Sequence, residues 1–277
     1  MPLPLPVLDH VVVNVRDGLD EAAVLWERLG FMLTPRGHHT LGSSNHLAVF
    51  GADYLELLGV QPGNARTDVL DWQSGLNGLV FKTYDADATY SDLRVAGLPV
   101  LPAQAFSRPV EMPGGAEDAA FRTVRIERDA APAGRLFFCQ HLTPALVWNG
   151  AWQRHGNGAL GILRVIIAAD DPSGPASLLS RMFGWNAVPP RNYGASMAAG
   201  LAQVDILTPH ALQAEFGGAA PEAHGRKTWM AALTLRTASL DLAAAALAAG
   251  RVPHTHGPAE IVVPASELGG MTLVLQE

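Results

Sequence analysis

The chain repeats one unit four times, and that repetition limits its folding more than any other feature. Each copy opens on a strand-like run, passes through one helix closed at a glycine, and ends on further strand-like runs. His10 to Gly78 spans 68 residues and Gly30 to Gly97 spans 67. His10 to Arg164 and Gly30 to Gly184 both span 154, and Gly97 to Gly250 spans 153. Openings and helix ends therefore stay in step.

The first copy sets the pattern. In Leu8-Asp9-His10-Val11-Val12-Val13-Asn14-Val15 alternation puts Val11, Val13 and Val15 on one face and His10, Val12 and Asn14 on the other. The valine face wants a helix. Ala22, Ala23, Leu25, Trp26 and Leu29 supply one over residues 19–29, before Gly30 as its C′ residue. Short strands are expected near residues 31–35, 46–50 and 54–58, with Tyr54, Glu56 and Leu58 sharing a face. The second copy predicts a strand over 78–83, a helix over 86–95 and strands over 121–127 and 135–140. The third and fourth begin at Gly161 and Trp229.

A β-α-β-β-β unit has a sheet with one face covered by its helix and one face bare. Two such units can enclose a cavity between their bare faces. The expected fold is α+β, with four βαβββ modules paired into two domains. Residues 1–150 form the first, with modules at about 7–60 and 76–144, and carry the expected site. Residues 158–277 form a degenerate second, with modules at about 160–209 and 228–277. Asn149-Gly150 and His155-Gly156-Asn157-Gly158 give the boundary its turn-rich composition. Residues 98–113 and 186–199 are expected as loops over the cavity mouths.

A hydrophobic content of 48% with 16% charged residues supports sizeable cores and argues against disorder. The net charge is −7, and no Lys/Arg cluster interleaves with aromatics, which argues against nucleic acid as a partner. The single cysteine, Cys139, rules out an intrachain disulfide and fits a reducing compartment. Met1-Pro2-Leu3-Pro4-Leu5-Pro6 has no basic stretch and too much proline for a signal peptide. The alanine-rich run 240–249 is too short for a bilayer, so no membrane role is expected. The expectation is a cytoplasmic protein of bacterial style; a homodimer stays open. There is no G-x-S-x-G, P-loop or dinucleotide fingerprint.

Four stretches carry a family resemblance: Leu8-Asp9-His10-Val11-Val12, Asn45-His46-Leu47-Ala48-Val49-Phe50, Asp53-Tyr54-Leu55-Glu56-Leu57, and Gln140-His141-Leu142-Thr143-Pro144-Ala145-Leu146-Val147-Trp148. With them the chain resembles the vicinal oxygen chelate superfamily, more closely its glyoxalase-like branch. The resemblance implies two domains of the glyoxalase/bleomycin-resistance/extradiol-dioxygenase type. It implies the reaction only weakly, because relatives include glyoxalases, dioxygenases, epimerases and metal-free binding proteins.

The resemblance also implies metal ligands on the first and last strands of each paired unit. Carried over, these positions are His10, Glu56, Gly78 and Gln140. Gly78 has no side chain, which leaves His10, Glu56 and Gln140 for a divalent ion such as Zn, Fe, Mn, Ni or Co. His141 is expected on the opposite face from Gln140 unless a bulge intervenes. A metal-free alternative makes Glu56 a general base beside His10, and a structural alternative makes the two a simple hydrogen-bonded pair. His39, Asn45, His46 and Arg122 (or Arg125) are the candidates for contacting substrate, an arginine suiting a carboxylate. In the second half Arg164 replaces His10 and Asp205 replaces Glu56. They are expected to form an ion pair in place of a metal. Cys139, beside Phe137 and Phe138, reads as an inert buried thiol. Two functions stay open. One is a glyoxalase-like lyase, isomerase or dioxygenase acting on a small oxygenated metabolite in the first domain. The other is a non-catalytic small-molecule-binding protein of the same fold.

Overall fold

A computed structural model describes residues 3–64, 66–112 and 114–277. The first module runs β1 (Leu8–Arg16), α1 (Leu19–Arg28), β2 (Gly37–His38), β3 (Ser43–Val49) and β4 (Tyr54–Val60). After the short α2 (Thr67–Leu70), the second runs β5 (Gly75–Lys82), α3 (Ala86–Val95), β6 (Gln104–Met112), β7 (Gly115–Arg125) and β8 (Arg135–His141). The third is β9 (Ala159–Ala169), α4 (Ser173–Phe183), β10 (Pro190–Arg191), β11 (Gly194–Ala199) and β12 (Ala202–Leu207). Then come α5 (Pro209–Phe216) and the fourth: β13 (Thr228–Thr237), α6 (Leu240–Ala249), β14 (Thr255–His256), β15 (Glu260–Val263) and β16 (Thr272–Gln276).

Each half is one eight-stranded mixed sheet. The orders are β2-β3-β4-β1-β5-β8-β7-β6 and β10-β11-β12-β9-β13-β16-β15-β14. In every module the first strand pairs parallel with the last, across the helix, and the two first strands of a half pair antiparallel. The protein is therefore a two-domain α+β fold of four βαβββ modules.

The convex faces and the helices of both halves share one core. Val11 and Val13 pack with Leu19, Trp26 and Leu29, as the alternation of β1 predicts. Phe183 at the end of α4 meets Phe81 and Phe138 of the other half, with ring centroids 4.6 and 5.7 Å apart. The seam is also hydrogen-bonded. Asp53 Oδ1 accepts the Ile162 N–H at 3.1 Å, and Asn157 donates to the Leu29 carbonyl at 2.9 Å. Residues 155–157 are thus fixed in the seam rather than acting as a loose tether.

Two local expectations fail. No strand forms at residues 31–35, because Thr34 alone pairs with β3 there and Pro35 has no N–H to give. The strand comes later, at β2. Residues 98–113 are not a free loop either. Residues 104–112 pair with β7 as an edge strand, and Phe106, Arg108 and Val110 alternate onto the concave face; Pro113 lies outside the described residues. In the same way, most of 190–199 is strand.

The two concave faces differ because one connection differs in length. After β4 the four-residue α2 only plugs an end of the first sheet, its Val69 carbonyl accepting the Asn14 amide at 3.1 Å. After β12 the eight-residue α5 lies across the second sheet. There Leu212 packs with Ile166, Ala168, Trp229 and Ala231. The first half is hollow and the second is filled.

Candidate functional site

The hollow face is built on β1. Leu8 pairs with Phe81 and His10 with the adjacent Val80, so Asp9 is an extra residue in a β-bulge. The bulge joins the Asp9 carboxylate to two imidazoles. Asp9 Oδ1 lies 2.6 Å from His10 Nδ1 and 2.9 Å from His141 Nε2. Burial alone would raise the Asp9 pKa. The hydrogen bonds and positive character of the two histidines outweigh it and hold the carboxyl well below the usual range. An ionised Asp9 only accepts, so the network assigns the His10 proton to Nδ1 and leaves the Nε2 lone pair open. His10 is fixed further by stacking on Tyr54, with centroids 4.2 Å apart and planes within 13°.

Glu56 faces that open nitrogen from β4. Its Oε2 is 3.9 Å from His10 Nε2 and its Oε1 is 3.9 Å from His39 Nε2. Asn45 of β3 donates to Oε1 at 2.7 Å. His39 bonds Ser43 Oγ through Nδ1 at 2.9 Å. Burial lowers its pKa to about 4 despite the opposing pull of Glu56, and nearby Arg108 and Arg66 lower it further, so His39 is neutral at pH 7. Tyr54, Phe106, Phe121 and Phe137 form the apolar wall. The cavity has a volume of about 80 Å³.

Of the residues singled out from the sequence, the structure brings His10, Glu56, His39 and Asn45 together around this cavity. Three others lie elsewhere. Gln140 sits one residue off the cavity face. It accepts the Ala86 N–H and donates to the Tyr84 carbonyl, so it braces the start of α3. Cys139 takes its place in the lining, with burial pushing its thiol pKa well up. Arg122 points away from the cavity to Asp87 of α3, at 2.7 Å through both terminal nitrogens, and Arg125 is the arginine in the lining. His46 bonds the Thr34 carbonyl at 2.8 Å and is not in the lining. Gly78, the expected equivalent of His10, pairs with Val12, and Val80 is the residue across from His10.

Arg66, Arg108 and Arg135 went unnoticed in the sequence, as did the partnership of Asp9 with His141. The parity of Phe106-Ser107-Arg108-Pro109-Val110 and of Phe121-Arg122-Thr123-Val124-Arg125 was the available signal. An arginine in step with buried neighbours belongs inside.

The divalent metal that the resemblance implies finds a poor fit in the cavity. The four equivalent strand positions hold His10, Glu56, Val80 and Cys139. Val80 offers no ligand atom, the thiol is kept protonated, and four guanidiniums line the same space. Asp9, His10 and His141 place three ligand atoms within 4.8 Å of one another, a grouping compatible in composition with a divalent ion. Those same atoms are already engaged with each other, and an ion would have to displace both hydrogen bonds.

In the second half Arg164 and Asp205 meet, Nε to Oδ2, at 2.5 Å, and Arg164 also pairs with Glu215 of α5. No helix of the described residues is long and apolar enough to cross a membrane.

A family model described as a glyoxalase-like domain matches residues 8–183. No curated protein matches. Among solved structures, a hypothetical protein from Staphylococcus aureus superposes with a TM-score of 0.67 at 12% identity, over 97% of this chain and 98% of that one. A mutant 4-hydroxymandelate synthase from Streptomyces coelicolor gives 0.59 at 13% identity, over 99% and 92%. A fusion of a xylose isomerase-like TIM barrel with 4-hydroxyphenylpyruvate dioxygenase gives 0.59 at 10%, over 100% of this chain and 49% of that one. These likenesses are of fold.

Proposed function

Because the chain belongs to the glyoxalase-like domain family of the vicinal oxygen chelate superfamily, we propose that the first domain is an enzyme active site. It moves a proton on a small oxygenated molecule, as a lyase or isomerase does, using its own acid–base groups. The observation that carries this reading is the facing pair: His10, held by Asp9 with Nε2 open, and Glu56, 3.9 Å away.

Each residue then has one role. Glu56 takes a proton from a carbon next to a carbonyl. On a 2-hydroxy carbonyl compound Glu56 then returns that proton to the neighbouring carbon, while the open Nε2 of His10 accepts the hydroxyl proton and passes it to the carbonyl oxygen; its Nδ1–H stays anchored on Asp9, which fixes its orientation. Asn45 holds Glu56 in place through Oε1, leaving Oε2 toward the substrate. The apolar wall of Tyr54, Phe106, Phe121 and Phe137 lowers the local dielectric, which strengthens charge interactions beside it. A separation of 3.9 Å is too long for a hydrogen bond between the two groups, so neither neutralises the other in the resting site.

Deuterium wash-in tests the proposal. The protein is incubated in D₂O with small 2-oxo and 2-hydroxy acids, and loss of the α or β C–H signal is followed by NMR. Exchange is expected with at least one compound, and Glu56→Gln should slow it roughly 100-fold or more. Exchange that Glu56→Gln leaves unchanged would overturn the assignment. The non-catalytic alternative predicts binding with no exchange in any variant, and the same spectra separate the two.

A further inference from the structure

We propose that Arg108 and Arg135 form an oxyanion clamp, and that the ligand of this cavity is a small molecule carrying a carboxylate or phosphate group. This rests on the reading of the first-domain cavity as a ligand site.

The starting point is an imbalance. The chain as a whole is negative, at −7, yet four arginines (66, 108, 125 and 135) converge on one cavity whose only carboxylates are Glu56 and Asp68. Asp68 is taken, since Arg66 and Arg125 both pair with it. Glu56 accepts from Asn45 at Oε1 and faces His10 with Oε2, and it forms no ion pair with an arginine of the lining. Among the described residues no ion pair reaches Arg108 or Arg135. The Nη2 of each is buried without a hydrogen-bond partner. Arg108 is only 3% exposed. A buried guanidinium left unpaired is strongly unfavourable, and folded proteins retain one where a ligand completes it.

The surroundings are shaped to the same end. Gly37 of β2 lies against Arg108, and a Cβ there would stand 2.7 Å from Arg108 Cδ and 2.5 Å from Asn45 Oδ1. The missing side chain makes room for the arginine. Arg135, in the same lining, is held by Asn77, whose Oδ1 accepts its Nε–H at 3.0 Å, and its Nη2 stays free. Thr123 of β7, 2% exposed, adds a hydroxyl with no partner. Two planar forks and a hydroxyl suit the oxygens of a carboxylate or phosphate. A volume of about 80 Å³ suits a small ligand.

Thermal shift and calorimetric titration in chloride-free buffer provide the test, with oxalate as the carboxylate probe and inorganic phosphate as the other. The wild-type protein should be stabilised by one of the two at lower concentration than the other, which identifies the group. Arg108→Met should move two readouts in opposite directions. Without ligand its Tm should equal or exceed the wild-type value, because an unpaired buried charge is gone. Affinity for the preferred anion should fall roughly 30-fold or more. Arg108→Lys keeps a charge but not the fork, so it should also bind more weakly than wild type; it serves if the methionine variant fails to fold. Arg122→Ala, outside the cavity, should bind like wild type. No stabilisation of the wild type by either anion, or wild-type affinity in both Arg108 variants, overturns the clamp. Anion binding without any deuterium exchange would instead leave the clamp standing and remove the acid–base reading.

Discussion

Replacing Arg164 with alanine strands a carboxylate. Asp205 is 1% exposed, and its two oxygens are held separately: Oδ2 by Arg164 Nε at 2.5 Å, Oδ1 by Gln203 Nε2 at 2.7 Å. Losing one partner of a buried ion pair costs about 3–5 kcal/mol. Two features of the site lower that figure. Gln203 still satisfies one oxygen, and the Arg164 side chain is 25% exposed, so water can follow the vacated path. The pair with Glu215, whose side chain is 36% exposed, adds only about 0.5 kcal/mol. The expected loss is about 3 kcal/mol, or roughly 6–9 °C in Tm at 2–3 °C per kcal/mol. Urea unfolding at pH 7 reads it directly. Adding Asp205→Asn to Arg164→Ala should recover about 1–2 kcal/mol, because an amide does not need the cation. A loss under 1 kcal/mol, or no coupling in the double-mutant cycle, would refute the view that this pair holds the second half together. Anion affinity of the folded variant should match the wild type.

Acid titration separates two buried groups of opposite sign. The folded pKa of His39 is about 4 against the usual 6.5, so stability present above pH 6.5 is lost as pH falls toward 4, by about 3 kcal/mol. The folded pKa of Asp53 is pushed up to about 6 by burial, from 3.8, so its contribution falls by about 3 kcal/mol as pH rises from 4 to 6. Stability measured between pH 4 and 6.5 should therefore drop less on acidification in His39→Asn than in wild type, and more in Asp53→Asn; parallel curves would contradict both. Gly250→Ala should destabilise by about 1–3 kcal/mol, since its Cβ would stand 1.9 Å from the Arg28 carbonyl oxygen. Its φ of −76° would otherwise make alanine a small gain, so a raised Tm would show that the α1–α6 approach is looser than described. Asp9→Asn should remove the strongly shifted His10 Nδ1 proton from the NMR spectrum and slow any substrate exchange with it; an unchanged imidazole signal would mean that Asp9 does not set the tautomer.

Much of the architecture was legible in the chain itself. Alternation in residues 8–15 assigned both faces of β1 correctly, and α3 occupies residues 86–95 as its spacing predicts. The pair at Arg164 and Asp205 followed from the repeat alone. What stayed hidden was register. A bulge at Asp9 has no signature in composition, yet it is where Asp9 meets His141. Matching Gln140 to Glu56 by polarity missed by one residue, and in a strand one residue is the whole difference between faces. Arg122 and Arg125 looked alike for the same reason. Parity with Phe121 and Thr123 separates them, and the polar partners Asp87 and Asp68 confirm which is which.

The two halves stand back to back, with one core between them and the hollow and filled faces turned outward. Neither half can come apart without stripping Phe81 and Phe138 from Phe183, so the chain should melt in a single step, and a fragment ending near residue 150 would expose the surface that the second half covers. The outward faces carry no such duty. Side chains on one can change without disturbing the other, which gives a duplicated chain freedom that a lone domain lacks. The filled face can change in packing and the hollow face in its lining, each without a matching change in the other.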